Sequence, residues 1–194
     1  MQLPPVNQQL LHRDDPDKSP LIGNIKVTRQ DWVNAALDIL ISDGAEFVKI
    51  MTLSKRLGVS RSSFYWYFKS RQELMDQLLE HWRITNTEAL IGQARAPSIS
   101  INNAVCNVFK CVVDPKLFDN RLDFAIRDWA RQNSAVRRVL ERSDERRLME
   151  LREMFMRYDF DGLEAKARSR ILYYMQVGYS DADLHEPMSD RLEL

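Results

Sequence analysis

Apolar residues along this chain recur three and four apart, the spacing of a helix face, and no segment alternates like a half-buried strand. Trp32, Val33, Ala36, Leu37 and Leu40 make the first stripe. Thr28 with Asp31 opens it as a capping box, and Ser42-Asp43-Gly44 closes it, with Gly44 expected as a left-handed cap. Short helices are predicted over 50–57 and 61–67. Ser70 and Glu73 form a second capping box, opening a long helix with Leu74, Leu78, Trp82, Thr85 and Ala89 on one side. Beyond Pro97, helices are predicted near 99–112, 117–131, 134–157 and 161–180, broken at Pro115, Asn133-Ser134 and 159–162. Val136, Leu140, Leu148, Leu151 and Phe155 stripe the third of these, and Ala167, Ile171, Tyr174 or Met175, and Gly178 the fourth. Pro4, Pro5, Pro16 and Pro20 interrupt a polar segment, so residues 1–25 are expected to be a disordered tail. The expected fold is all-α: a small helical domain over 26–72 and a larger one over 73–194.

Within the small domain, residues 50–68, IMTLSKRLGVSRSSFYWYF, have helix-turn-helix spacing. A tight turn between two steeply crossed helices needs a residue tolerating positive φ, and Gly58 supplies it. Ser54 is the small residue where the second helix crosses the first. Leu53, Leu57, Val59, Phe64 and Tyr67 fill the junction, and Ser60, Arg61, Ser62 and Ser63 give the second helix a polar, capped start. Five consecutive aromatics, Phe64 to Phe68, cannot share one packing face, so part of the run must look outward.

Charge adds a local signal to this geometry. The chain of 194 residues is formally neutral, yet no acid lies between Phe47 and Gln72. Lys49, Lys55, Arg56, Arg61, Lys69 and Arg71 fall in that window. Such a patch suits a DNA-reading module, although a solvated basic face has the same composition. The two cysteines, Cys106 and Cys111, point in different directions on a helix, and the three histidines lack metal-ligand spacing. No disulfide, metal or cofactor is expected, and a reduced, cytoplasmic setting is the economical reading. No secretory pattern and no membrane-spanning run is seen.

The segment resembles the DNA-binding domain of TetR-family transcriptional regulators: Gly58, Val59, Ser60, Phe64, Tyr65, Tyr67, Phe68 and Ser70 match the family pattern in order. The resemblance is specific over residues 28–80; beyond it only the all-helical architecture agrees. Lys49 and Ile50 depart from it, standing where the family usually has a capping Thr or Ser. The resemblance implies a homodimeric, ligand-responsive regulator, most often a repressor, with its third helix in the major groove of a palindromic operator. On that implication Arg61, Ser62 and Ser63 meet base edges, while Tyr65, Trp66 and Lys69 hold backbone phosphates, with Thr28, Arg29 and Lys49 as further backbone contacts. Phe64, Tyr67 and Phe68 are read as core.

The larger domain carries no convergent nucleophile, base or metal set, so no enzyme activity is expected. Candidate residues for binding an unknown small-molecule effector are Trp82, Asn103, Asn107, Phe109, Phe124, Arg127 and Phe155, each equally readable as packing. Ala165, Ala167 and Gly178 on the last two helices permit close approach in a dimer, with Arg146, Arg147, Glu150 and Glu153 as rim pairs. The alternative class is a helix-turn-helix module that binds protein without ligand control.

Overall fold

The computed structural model describes residues 10–11, 21–22 and 27–181. The expected tail over 1–25 lies otherwise outside the described residues; Leu10–Leu11 pairs antiparallel with Leu21–Ile22. The remaining described chain is helical: α1 Arg29–Ser42, a 3-10 turn Ala45–Phe47, α2 Ile50–Leu57, α3 Arg61–Phe64 and α4 Arg71–Trp82. A π-helical turn, Arg83–Glu88, joins α4 to α5 Ala89–Arg95. Then follow α6 Ile101–Val113, α7 Asn120–Gln132, α8 Ser134–Met156 and α9 Gly162–Asp181.

Side chains at the helix starts explain these boundaries. Thr28 accepts the Asp31 N–H while the Asp31 carboxylate accepts the Thr28 N–H at 2.7 Å, a complete capping box. Ser70 accepts the Glu73 N–H, but Glu73 Oε2 accepts from Lys69 N at 2.7 Å, so the box closes one residue early. Ser100, Asp119 and Asn133 cap α6, α7 and α8 through their side-chain oxygens. Gly44 corrects the expectation at the end of α1. Its φ of 102° is positive, but its ψ of 166° lies outside the left-handed helix, in a region essentially restricted to glycine.

Two apolar clusters form the interior. Trp32, Leu40, Leu53, Phe64, Phe68, Leu74 and Leu78 make the first, which continues through Trp82 into Ile126 of α7 and Val136 of α8. The second joins α5, α6, the end of α8 and α9 through Leu90, Val108, Leu151, Phe155 and Leu172.

Two sequence-based stripes shift, and the one on α8 gains polar members. The π turn moves the helix face, so Asn86 and Thr87 are buried where Thr85 was expected, and Leu90, Ile91 and Ala94 continue the new phase. On α8, Val136, Leu151 and Phe155 are buried as expected, but Ser143, Arg147 and Glu150 are buried with them. On α9 the expected stripe faces outward: Ile171 is 67% exposed, and Ala167, Tyr174, Met175 and Gly178 are exposed too. Its inner face is Ala165, Ser169, Leu172, Tyr173 and Gln176, whose polar members hide it from an apolar count.

Arg147 and Asp123 anchor a polar network between the two clusters. Arg147 is fully buried; its Nη1 and Nη2 donate to Asp123 Oδ1 at 3.1 Å, and its Nε donates to Thr87 Oγ1. Trp82 Nε1 donates to the same carboxylate at 2.8 Å, and Arg127 Nε to its other oxygen at 2.9 Å. Arg127 also pairs with Asp144, which accepts from the Tyr173 hydroxyl at 2.6 Å. Burial alone would raise the Asp123 carboxyl, but the Arg147 and Arg127 guanidinium groups and the indole hydrogen bond hold it below its ordinary value. The expected dimer-rim reading is corrected for these charges: Arg147 is core, Glu150 pairs with Arg95, and Arg146 pairs with Glu88.

Candidate nucleic-acid interface

The turn between α2 and α3 takes the expected form. Gly58 sits at φ 67°, ψ 28°, a left-handed residue on which α2 ends. Val59 N–H donates to Ser54 O at 3.0 Å, and Ser54 is buried at the crossing. α3 is shorter than expected, ending at Phe64, with a turn over 65–67. Ser60 has N-cap backbone geometry, but its hydroxyl pairs with Ser62 Oγ at 2.8 Å instead of capping. Ser63 Oγ donates to Ser60 O at 2.6 Å and serves the helix start.

The aromatic run divides between two directions. Phe64 meets Trp32 edge-on at 5.2 Å and stacks on Phe68 at 5.1 Å, and both phenylalanines are buried. Tyr67 is half-buried, and its hydroxyl donates to Val27 O at 2.6 Å. Tyr65 is 59% exposed and Trp66 81% exposed, beside exposed Arg61 and Ser62. A helix tip with aromatic donors and a guanidinium in solvent can present hydrogen bonds to base edges and phosphates.

The basic patch is smaller than its composition. Arg71 donates to Val48 O at 2.5 Å and Ala45 O at 2.6 Å, tying α4 to the 3-10 turn. Arg56 pairs with Asp38 at 2.9 Å. Arg29 donates to Tyr67 O, pairs with Glu73 at 3.2 Å and lies 4.6 Å from the Phe68 ring centre. Thr28 is exposed but engaged in its capping box. Lys49, an exposed N-cap without a side-chain cap bond, stands 5.8 Å from the Phe47 ring centre. Lys55, Arg61 and Lys69 are exposed, and their side chains carry no hydrogen bond or ion pair among the described residues. Lys55 belongs to the basic window but not to the contacts that the resemblance implies; its place on the outer side of α2, three residues before Gly58, is what marks it.

These features coincide with a known sequence family. Residues 33–78 match the family model described as bacterial regulatory proteins, tetR family. That span carries a TetR-type helix-turn-helix domain. The chain is 36% identical over 55 residues to tetracycline repressor protein class C of Escherichia coli, covering 28% of this chain and 25% of that one. It is 30% identical over 54 residues to the uncharacterized HTH-type transcriptional regulator TtgW of Pseudomonas putida, covering 28% of this chain and 40% of that protein. The matched part spans about a quarter of the length of the tetracycline repressor. The fold extends further than the sequence match. The reduced form of NemR from E. coli superposes with a TM-score of 0.64 at 16% identity, covering 86% of this chain and 95% of that one. Salmonella enterica GusR does so with a TM-score of 0.62 at 15% identity, covering 85% and 91%.

The candidate effector residues do not gather round one cavity. Trp82 and Arg127 are spent on the Asp123 network. Asn103 is exposed at the α6 start, accepting from Ser100 Oγ, and Asn107 donates to Ser98 Oγ at 3.2 Å. Phe124 is 47% exposed. Phe109 borders a void of about 10 Å³, and Phe155 borders a larger cleft of about 440 Å³ between α6 and α9. Among the described residues, no group of three His, Cys, Asp or Glu could hold a metal, and no helix is long and apolar enough to cross a membrane.

Proposed function

We propose that the chain is a sequence-specific transcriptional regulator that binds a palindromic operator in double-stranded DNA as a homodimer. The observation that carries this reading is the exposed surface of α3 and the turn after it, where Arg61, Ser62, Tyr65 and Trp66 project from a segment locked to the body by Phe64 and Phe68. Arg61 reads a base edge, with guanine the natural partner, while Tyr65, Trp66 and Lys69 grip the backbone. Lys49 and Lys55 extend the phosphate track along α2. Arg29 contributes by tying the turn after α3 and the start of α4 to α1, and Thr28 by capping α1.

The outward apolar stripe of α9 supports dimerisation. Leu163 at 79% exposure, Ile171, Tyr174 and Met175 form a face that one chain leaves open, and Ala167 and Gly178 allow close approach along it. Two recognition helices then lie about one DNA turn, roughly 34–36 Å, apart. A small-molecule effector bound by the carboxyl-terminal helices shifts the pair and releases the operator, which makes the chain a repressor acting in the cytoplasm.

Affinity for DNA measured against salt tests this reading. Neutralisation of phosphates makes log K fall linearly with log salt, by about 0.9 for each phosphate contacted on duplex DNA. A flat salt response, or preference for a protein partner over duplex DNA, would support the interaction-module alternative instead.

A further inference from the structure

We propose that the cleft between α6 and α9 is the effector site and takes a largely apolar molecule bearing one anionic group. This rests on the reading of the chain as an effector-controlled regulator. The cleft holds about 440 Å³, within the range of about 300–1,000 Å³ usual for small-molecule sites. Val105, Phe155, Phe160 and Leu172 give it apolar walls from three helices and the turn between α8 and α9. No acidic residue lines it, and its one charged lining residue is Arg168.

Arg168 is prepared for an anion. Its Nε and Nη2 both donate to Glu164 Oε1, at 2.8 and 2.7 Å, and its guanidinium lies 4.7 Å from the Phe160 ring centre. One edge and one face are thereby fixed, while Nη1 has no partner among the described residues. The neighbouring Asn102 amide, exposed at the rim, likewise makes no hydrogen bond among the described residues. A ligand acid can accept from Nη1 and the amide while its apolar body displaces water from the walls. Ile171 and Met175 line the cleft and also belong to the outward α9 stripe, so an occupant bears on the surface assigned to the dimer.

Cys106 provides a position-specific readout because it is exposed and lines the same cleft. Cys111 is buried, and burial with the nearby Asp114 pushes its thiol up to about 11, which leaves Cys106 the reactive one. The test uses the full chain with two probes, anilinonaphthalene sulfonate, an apolar anion, and phenylnaphthylamine, its uncharged relative. Both are titrated by fluorescence while N-ethylmaleimide alkylation of Cys106 is followed by mass. Saturating sulfonate is expected to slow alkylation severalfold. Val105→Trp and Met175→Trp, which narrow the cleft from its wall and its rim, are expected to weaken both probes. Arg168→Gln is expected to weaken the sulfonate about tenfold, the scale of one charge-assisted hydrogen bond, and to leave the uncharged probe unchanged.

Circular dichroism checks that each variant retains its helices. Unchanged alkylation at saturation would overturn the site, and equal loss of both probes in Arg168→Gln would overturn the anionic class. DNA binding is measured on the same wild-type sample without probe. Intact DNA binding with no protection of Cys106 overturns the cleft alone, whereas absent DNA binding overturns the regulator reading on which it rests.

Discussion

Trp66 is the most exposed ring of the aromatic run, while Phe64, two residues earlier, is wholly buried. Members of one short run thus do opposite work. Phe64 fixes α3 against Trp32, and Trp66 and Tyr65 stay available to a partner. On the proposed reading Tyr65→Phe removes one phosphate hydrogen bond and Lys69→Ala one charge; each is expected to lower operator affinity by about 1 kcal/mol, with the melting temperature nearly unchanged. Fluorescence anisotropy against operator DNA, beside a thermal melt, checks both. Arg61→Ala is expected to lose about 1–3 kcal/mol of discrimination at one base position, read by comparing single-base operator variants. Uniform loss across all variants would make Arg61 a phosphate contact. At this scale the sequence was legible where backbone geometry demanded a residue type. Gly58 and the Thr28–Asp31 box are examples, since each answers a local requirement. Arg29 and Arg71 were opaque, because a basic side chain in a basic window looks free until the distant carbonyls of Tyr67, Val48 and Ala45 are placed beside it.

At the scale of elements, the π turn and the Asp123 network decide how the two clusters meet. Helix periodicity located α1, α2 and α6 to α9 within a few residues, because an apolar face recurs along each. It misplaced the faces of α5 and α9 and left out the buried polar residues of α8. The π turn adds a residue to the repeat, and Arg147, Glu150, Ser169 and Gln176 are polar residues on buried faces. The network makes an asymmetric prediction. Asp123→Ala strands Arg147 without its main partner and is expected to cost about 3–5 kcal/mol, the scale of breaking a buried pair. Arg147→Met leaves Asp123 bonded to Arg127 and Trp82, so it is expected to cost less. Chemical denaturation of the two variants ranks them, and equal losses would contradict the asymmetry. The pH dependence follows from the lowered carboxyl of Asp123. Its contribution is fully present above the unfolded aspartate value of about 3.9 and is lost as pH falls below it, through the lower folded value. Wild type is therefore expected to lose stability more steeply than Asp123→Ala in that acid range.

At the scale of the whole molecule the proposed dimer rests on the outward stripe of α9. Ile171→Glu places a charge in the outward stripe without entering either apolar cluster. Sedimentation is expected to show a dimer for wild type and a monomer for the variant, with helicity intact and operator affinity falling steeply. A dimeric Ile171→Glu would move the interface elsewhere. The sequence made the amino-terminal helices readable as a unit because a tight turn constrains many residues at once. The carboxyl-terminal helices meet no such shared constraint, so composition left the cleft and its lining unmarked. Selection of bound DNA from a random pool is the decisive measurement. A palindromic consensus is expected, with half-sites about one helical turn, 10–10.5 base pairs, apart. Recovery of no consensus above background would contradict sequence-specific operator binding, and a consensus without two-fold symmetry would contradict the dimer.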